Sequence, residues 1–180
     1  MAPGPVPLHP EVQAVLGLAM IHHRTPLFDG ILKSVLAGLK KVLLTVESVY
    51  IISGTGTSGM EACLINVLNP GDEVLCIVSG KFGERWAEMS QAFGYKTHIL
   101  KVTWGEAVQT SDVKSFLEKN SQIKAVLCQA CETSTAVLHP IQALGEVIAK
   151  FPETLFLVDG ITAVGACELP MDEWKIDGLV

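Results

Sequence analysis

Apolar positions along the chain recur at two alternating spacings. Phe28, Ile31, Leu32, Val35, Leu36, Leu39, Val42 and Leu43 fall at helical spacing, and Lys40 and Lys41 close that run where cations suit the helix dipole. From residue 49 onward, short continuous apolar runs alternate with amphipathic ones. The runs predict strands over 49–53, 73–79, 96–102, 124–130 and 154–159, and helices over 59–68, 82–93, 111–120 and 140–151. Asn69-Pro70-Gly71 and Gly94 stop the first two of these helices; Ser111 is the expected N-cap of the third, and Pro140 stands in the first turn of the fourth.

Strands of near-continuous Val, Ile and Leu, separated by helices, predict an α/β fold of three layers, αβα, around a mostly parallel sheet. Right-handed crossovers place the strand-to-helix loops on one edge, and ligands bind there, at the carboxyl ends of the strands. That edge would carry Ser53 to Gly59, Gly80 to Phe82, Cys131 to Thr135 and Asp159 to Thr162. Residues 1–48 read as an N-terminal segment and helix, and 49–180 as one large domain whose last residues, "KIDGLV", begin a further strand.

Composition narrows the partners. Of 180 residues, 49% are hydrophobic and 18% charged, enough apolar material for a buried core. The net charge is -6 with no basic stripe, which argues against nucleic acid. No apolar run approaches the roughly 18 to 20 residues that span a bilayer. The N-terminus "MAPGPVPLHPEV" has neither the basic start nor the apolar stretch of a signal peptide, so the cytoplasm is the expected location. Five cysteines in apolar runs are expected to be buried and reduced.

The stretch "SGTGTSG" sets glycines and hydroxyls where the first of these strands meets the helix that follows it. It satisfies the dinucleotide pattern G-x-G-x-x-G through Gly54, Gly56 and Gly59. That pattern also needs an acidic residue ending the second strand, and Ser79-Gly80-Lys81 stands there instead. No Gly-Lys-[Ser/Thr] follows, so a nucleoside-triphosphate loop fails too. The turn can hold one phosphate on helix-start amides without a lysine, or it can be a glycine-rich turn that binds nothing. Asp159, delivered by "FLVD" onto the same edge, needs a partner because a lone buried carboxylate is costly. It can cap its own loop, or it can hold a cationic ring nitrogen. A phosphate at one strand end and an aspartate at another together describe pyridoxal phosphate.

The blocks "SGTGTSGMEACLINVLNPGD", "SGKFGERWAEM", "CETSTAVLHPI" and "LFLVDGITAVGA", in this order, resemble the class V, fold-type I aminotransferases, closest to the alanine–glyoxylate and serine–glyoxylate group. The resemblance implies a pyridoxal 5'-phosphate site in the family's large-domain fold. Thr55, Gly56 and Thr57 would cradle the phosphate, and Phe82, where many members carry Trp, would stack on the ring. Thr133 would bond the phenolic oxygen, Asp159 would pair with the pyridine nitrogen as the catalytic carboxylate, and Ile161 would pack beneath the ring. Gly4, in "PGP", would offer backbone to the substrate, and His22-His23-Arg24 would lie near the entrance. A small amino acid such as alanine or serine and a 2-oxo acid such as glyoxylate or pyruvate are the implied substrates, and a homodimer the implied assembly. The family's covalent cofactor lysine would lie past Val180, as would the small C-terminal domain. This piece is therefore expected to be an N-terminal portion that does not turn over alone. The alternatives are a non-catalytic fragment of that fold, a cysteine desulfurase-like enzyme, or a dinucleotide-dependent oxidoreductase. Cys128-x-x-Cys131 has no second pair, so no metal site is expected.

Overall fold

The computed structural model describes residues 6–180, which divide into two compact units, one up to Leu39 and one from Lys40 to Val180. In the first, α1 (Pro10–Leu16) is a short helix begun by a proline, which the proline-rich sequence does not predict. Helix α2 (Pro26–Leu43), whose last four residues belong to the second unit, matches the long apolar stripe and carries an Asp29–Lys33 ion pair of 2.7 Å one turn apart, yet none of its residues is buried.

The second unit alternates helix and strand. In order come α3 (Gly56–Val67), β1 (Glu73–Val78), α4 (Lys81–Ala92), β2 (Lys96–Lys101), α5 (Thr110–Lys119) and β3 (Ile123–Gln129). The short β4 (Cys131–Glu132) and β5 (Val137–Leu138) pair as a small antiparallel ribbon, followed by α6 (Ile141–Ile148), β6 (Leu155–Asp159) and β7 (Gly178–Leu179). Five strands form one sheet in the order β2-β1-β3-β6-β7, with every pairing parallel. Their carboxyl ends therefore share one edge, as the α/β pattern predicts. Strand β7 is the one anticipated in "KIDGLV".

Alternate residues of each strand feed two cores. Leu75, Ile77, Val126, Cys128, Phe156 and Val158 pack with Val113 and Leu117 of α5 and Ile141, Leu144 and Ile148 of α6. Val74, Cys76, Val78, Ala125, Leu127 and Leu157 pack with Met60 and Leu64 of α3 and Trp86 and Ala87 of α4.

Three expectations need correction. Residues 49–53 form no strand: the five-stranded order leaves this run without a hydrogen-bonding neighbour, and Tyr50 (81% exposed), Ile51 and Ile52 lie outside the core. Helix α5 begins one residue before Ser111, with Gln109 at the N-cap, and the Ser111 hydroxyl turns to Asp112 at 3.4 Å. All five cysteines are free as expected, but burial is uneven. Cys76 and Cys128 are buried, the former with its thiol pushed up to about 12 by desolvation, whereas Cys167 is exposed.

Candidate functional site

One open cleft of about 130 Å³ lies at the carboxyl edge of the sheet, lined by Thr55, Gly56 and Thr57, by Phe82 and Arg85, and by Asp159 and Ile161, among others. Each wall has a local cause.

The first wall is the start of α3. Thr55 is its N-cap in extended conformation, and its carbonyl accepts the amides of Ser58 (2.9 Å) and Gly59 (3.4 Å). The amides of Gly56 and Thr57, in the first turn, have no intrahelical acceptor by helix geometry, and the Thr55 side chain does not cap them. Gly56 is required for steric reasons. A Cβ there would sit 2.7 Å from Cγ1 of Ile161, so the α3 turn and the loop after β6 are in direct contact.

The second wall is the start of α4, held from a distance by a carboxylate. Glu132, fully buried on β4, accepts the amides of Phe82 at 3.1 Å and Gly83 at 3.0 Å on Oε2, and the Ser134 hydroxyl at 2.6 Å on Oε1. Ser134 Oγ in turn accepts the Lys81 amide at 3.0 Å. The orphan donors of the helix start and its positive end are thereby satisfied by a loop some fifty residues on. Gly80 makes room for this, since a Cβ there would meet Glu132 Cδ at 2.5 Å. One turn beyond Phe82, Arg85 sets its guanidinium 5.0 Å from the Phe82 ring centre and donates from Nη1 to Thr57 Oγ1 at 3.1 Å.

The third wall is the end of β3 and β6. Asp159 is buried, and its Oδ1 accepts the Ile161 amide at 3.0 Å. Desolvation raises its carboxyl above the ordinary value and the nearby Glu132 charge adds to the rise, while the Ile161 amide and the Arg85 charge oppose it. This carboxylate is short of positive charge. Thr133 closes the rim with its hydroxyl 2.8 Å from that of Thr162.

The structure thus brings Thr55, Gly56, Thr57, Phe82, Thr133, Asp159 and Ile161 to one cleft. Gly4 lies outside the described residues. His22 and His23 stack at 4.8 Å in the first unit, where the His22 ring accepts the Arg24 amide. Sequence reasoning missed Arg85 and Glu132. The signal for Arg85 was its place one helical turn after Phe82; for Glu132 none existed, because its partners are distant in the chain.

The cleft holds both kinds of charge. Amides and a guanidinium line it together with a carboxylate that lacks a full cation, and Phe82 and Ile161 add apolar surface. That pattern fits a flat ligand carrying an anion at one end and a protonated ring nitrogen at the other.

Comparison with known proteins gives the family. The family model described as Aminotransferase class-V matches residues 14–180. A Synechococcus protein named soluble hydrogenase, small subunit, is 37% identical over 98% of this chain and 47% of its own length. The L-aspartate–glyoxylate aminotransferase of Paracoccus denitrificans is 37% identical over 97% of this chain and 45% of its own. The crystal structure of the ureidoglycine–glyoxylate aminotransferase of Bacillus subtilis superposes with a TM-score of 0.95 at 34% identity, covering 99% of this chain and 46% of that one. The chain spans about half the length of the curated relatives it matches.

Proposed function

The chain belongs to the class V aminotransferases, and from that premise we propose that its cleft holds pyridoxal 5'-phosphate for transamination between a small amino acid, such as alanine or serine, and glyoxylate or pyruvate. The observation that carries this reading is the shared cleft of the Thr55–Thr57 turn and Asp159, with Gly56 resting on Ile161. When bound, the cofactor supplies an electron sink for charge developing at the substrate's α-carbon. The chain's residues supply the setting. The amides and hydroxyls of Thr55, Gly56 and Thr57 hold the phosphate at the positive end of α3. Asp159 keeps a proton on the ring nitrogen, and that cation offsets the burial of the carboxylate. Phe82 and Ile161 enclose the ring and keep water from it, and Thr133 bonds the phenolic oxygen.

Glyoxylate as acceptor is supported by the names of the Paracoccus and Bacillus relatives. A homodimer is part of the same proposal. A second reading, a binding chain without turnover, is favoured by one observation: no lysine lines the cleft among the described residues, so no amine there can move the proton at the α-carbon. Titration with pyridoxamine 5'-phosphate, followed by ligand absorbance and by tryptophan emission, tests the binding reading. Saturable binding, displaced by pyridoxal 5'-phosphate and not by NADH, is expected; its absence would remove the cofactor and the transamination together. An alanine–glyoxylate assay on the same protein separates the two readings, since pyruvate formation supports the enzyme and bound cofactor without turnover supports the second.

A further inference from the structure

We propose that Arg85 is the charge partner of the cofactor's phosphate and the residue that aims the Thr57 hydroxyl at it. The inference rests on the cofactor reading above.

Four observations converge. Arg85 lines the cleft beside Thr57, and among the described residues no ion pair engages its guanidinium. A guanidinium can only donate, so in the 3.1 Å bond from Nη1 the Thr57 hydroxyl is the acceptor. The Thr57 hydroxyl keeps its own proton for a third group, and the Gly56 and Thr57 amides of the same turn also lack intrahelical acceptors. Donors outnumber acceptors at this end of the cleft, and the remaining guanidinium N–H groups add to the excess.

The carboxylate that lines the cleft, Asp159, feels the Arg85 charge but forms no ion pair with it, and is bonded to its own loop through the Ile161 amide. A dianion is the class of group that satisfies such an end, and the forked geometry of arginine suits phosphate oxygens. Arg85 is also held in place. It stands one turn after Phe82 on α4, packs at 5.0 Å on that ring, and shares a helix start pinned by Glu132. One side chain thereby joins the phosphate end to the ring end.

The test compares two ligands that differ only in the phosphate, pyridoxamine 5'-phosphate and pyridoxamine, in wild type, Arg85→Gln, Arg85→Lys and Thr57→Val. Arg85→Gln is expected to weaken the phosphorylated ligand roughly 10- to 100-fold, as for a lost charged hydrogen bond, and to change pyridoxamine less than about twofold. Arg85→Lys keeps the charge without the fork and should lose less, still selectively. Arg85→Gln should cost less in the Thr57→Val background than in wild type, because the share exerted through the Thr57 hydroxyl is already gone, and should still weaken the phosphorylated ligand selectively through the lost charge.

Equal weakening of both ligands would overturn the proposal and leave Arg85 a brace for Phe82; so would no change in either. If wild type binds neither ligand, the cofactor reading falls, and inorganic phosphate decides the present one. Phosphate that binds wild type and not Arg85→Gln supports it, and equal binding or none overturns it. An unfolding midpoint for each variant confirms that it is folded, and Arg85→Lys carries the test if Arg85→Gln is not.

Discussion

The two faces of the sheet begin alike and end differently. Toward α5 and α6, the strands present Leu75, Ile77, Val126, Cys128, Phe156 and Val158, apolar to the last residue. Toward α3 and α4 they present Val74, Cys76, Leu127 and Leu157, and then turn polar where β3 and β6 finish, with Gln129 and Asp159 side by side in register. The Gln129 amide is buried with no partner for Nε2 or Oε1, and the Trp86 indole N–H beside this core is likewise unpartnered among the described residues. Burying polar groups is costly, so one face supplies stability and the other gives some of it up next to the cleft.

Truncating the apolar face and replacing the polar groups that end β3 and β6 should therefore move stability in opposite directions. The largest effect belongs to the apolar face. Leu144→Ala should cost about 2–5 kcal/mol in urea unfolding and leave pyridoxamine 5'-phosphate affinity unchanged; a comparable loss of affinity would mean that the faces are coupled. Next comes Glu132→Ala, which orphans the Phe82 and Gly83 amides. A loss of about 2–3 kcal/mol is expected, together with weaker ligand binding because the Phe82 wall loosens. Stability lost without affinity would show that α4 keeps its place unaided.

Gln129→Met should go the other way and stabilise by about 1–2 kcal/mol, since it replaces an unpartnered buried amide with an apolar chain of similar size. A lower unfolding midpoint would show that the amide finds partners in solution. Asp159→Asn is the smallest in stability and the most informative in pH. The folded carboxyl titrates above its ordinary value, so its charge penalises the fold as pH rises through the aspartate range and is neutral below it. The variant should match wild type in acid and exceed it near neutrality, while binding the cofactor more weakly. A variant less stable at neutral pH would refute this sign.

Glu73, remote from the cleft, supplies a contrast of opposite sign. Hydrogen bonds from His98 and Gln122 and the Lys96 ammonium hold its carboxyl down at about 2. Its stabilisation is present above the ordinary glutamate value and fades as pH falls from about 4.5 toward about 2. The midpoint difference between wild type and Glu73→Gln should shrink over that window.

Much of this was legible in the residues. Strands β1, β2, β3 and β6 were found to within a residue or so, because buried strands spend their whole length on Val, Ile and Leu. Residues 49–53 have the same composition and fail as a strand, because a strand is defined by a neighbour and composition does not name one. Helix α1 was hidden by the prolines that begin it. At the cleft, the turn and the aspartate were visible because their chemistry is local. Glu132 and Arg85 were not, because each acts on a segment 28 to 50 residues away.

Gly56 leaves nothing between the α3 turn and the loop after β6 but the flank of Ile161. The spacing of that turn from the loop is thus set by solid contact, like the jaws of a closed caliper. A single methyl on Gly56 would force the two apart and reset the instrument.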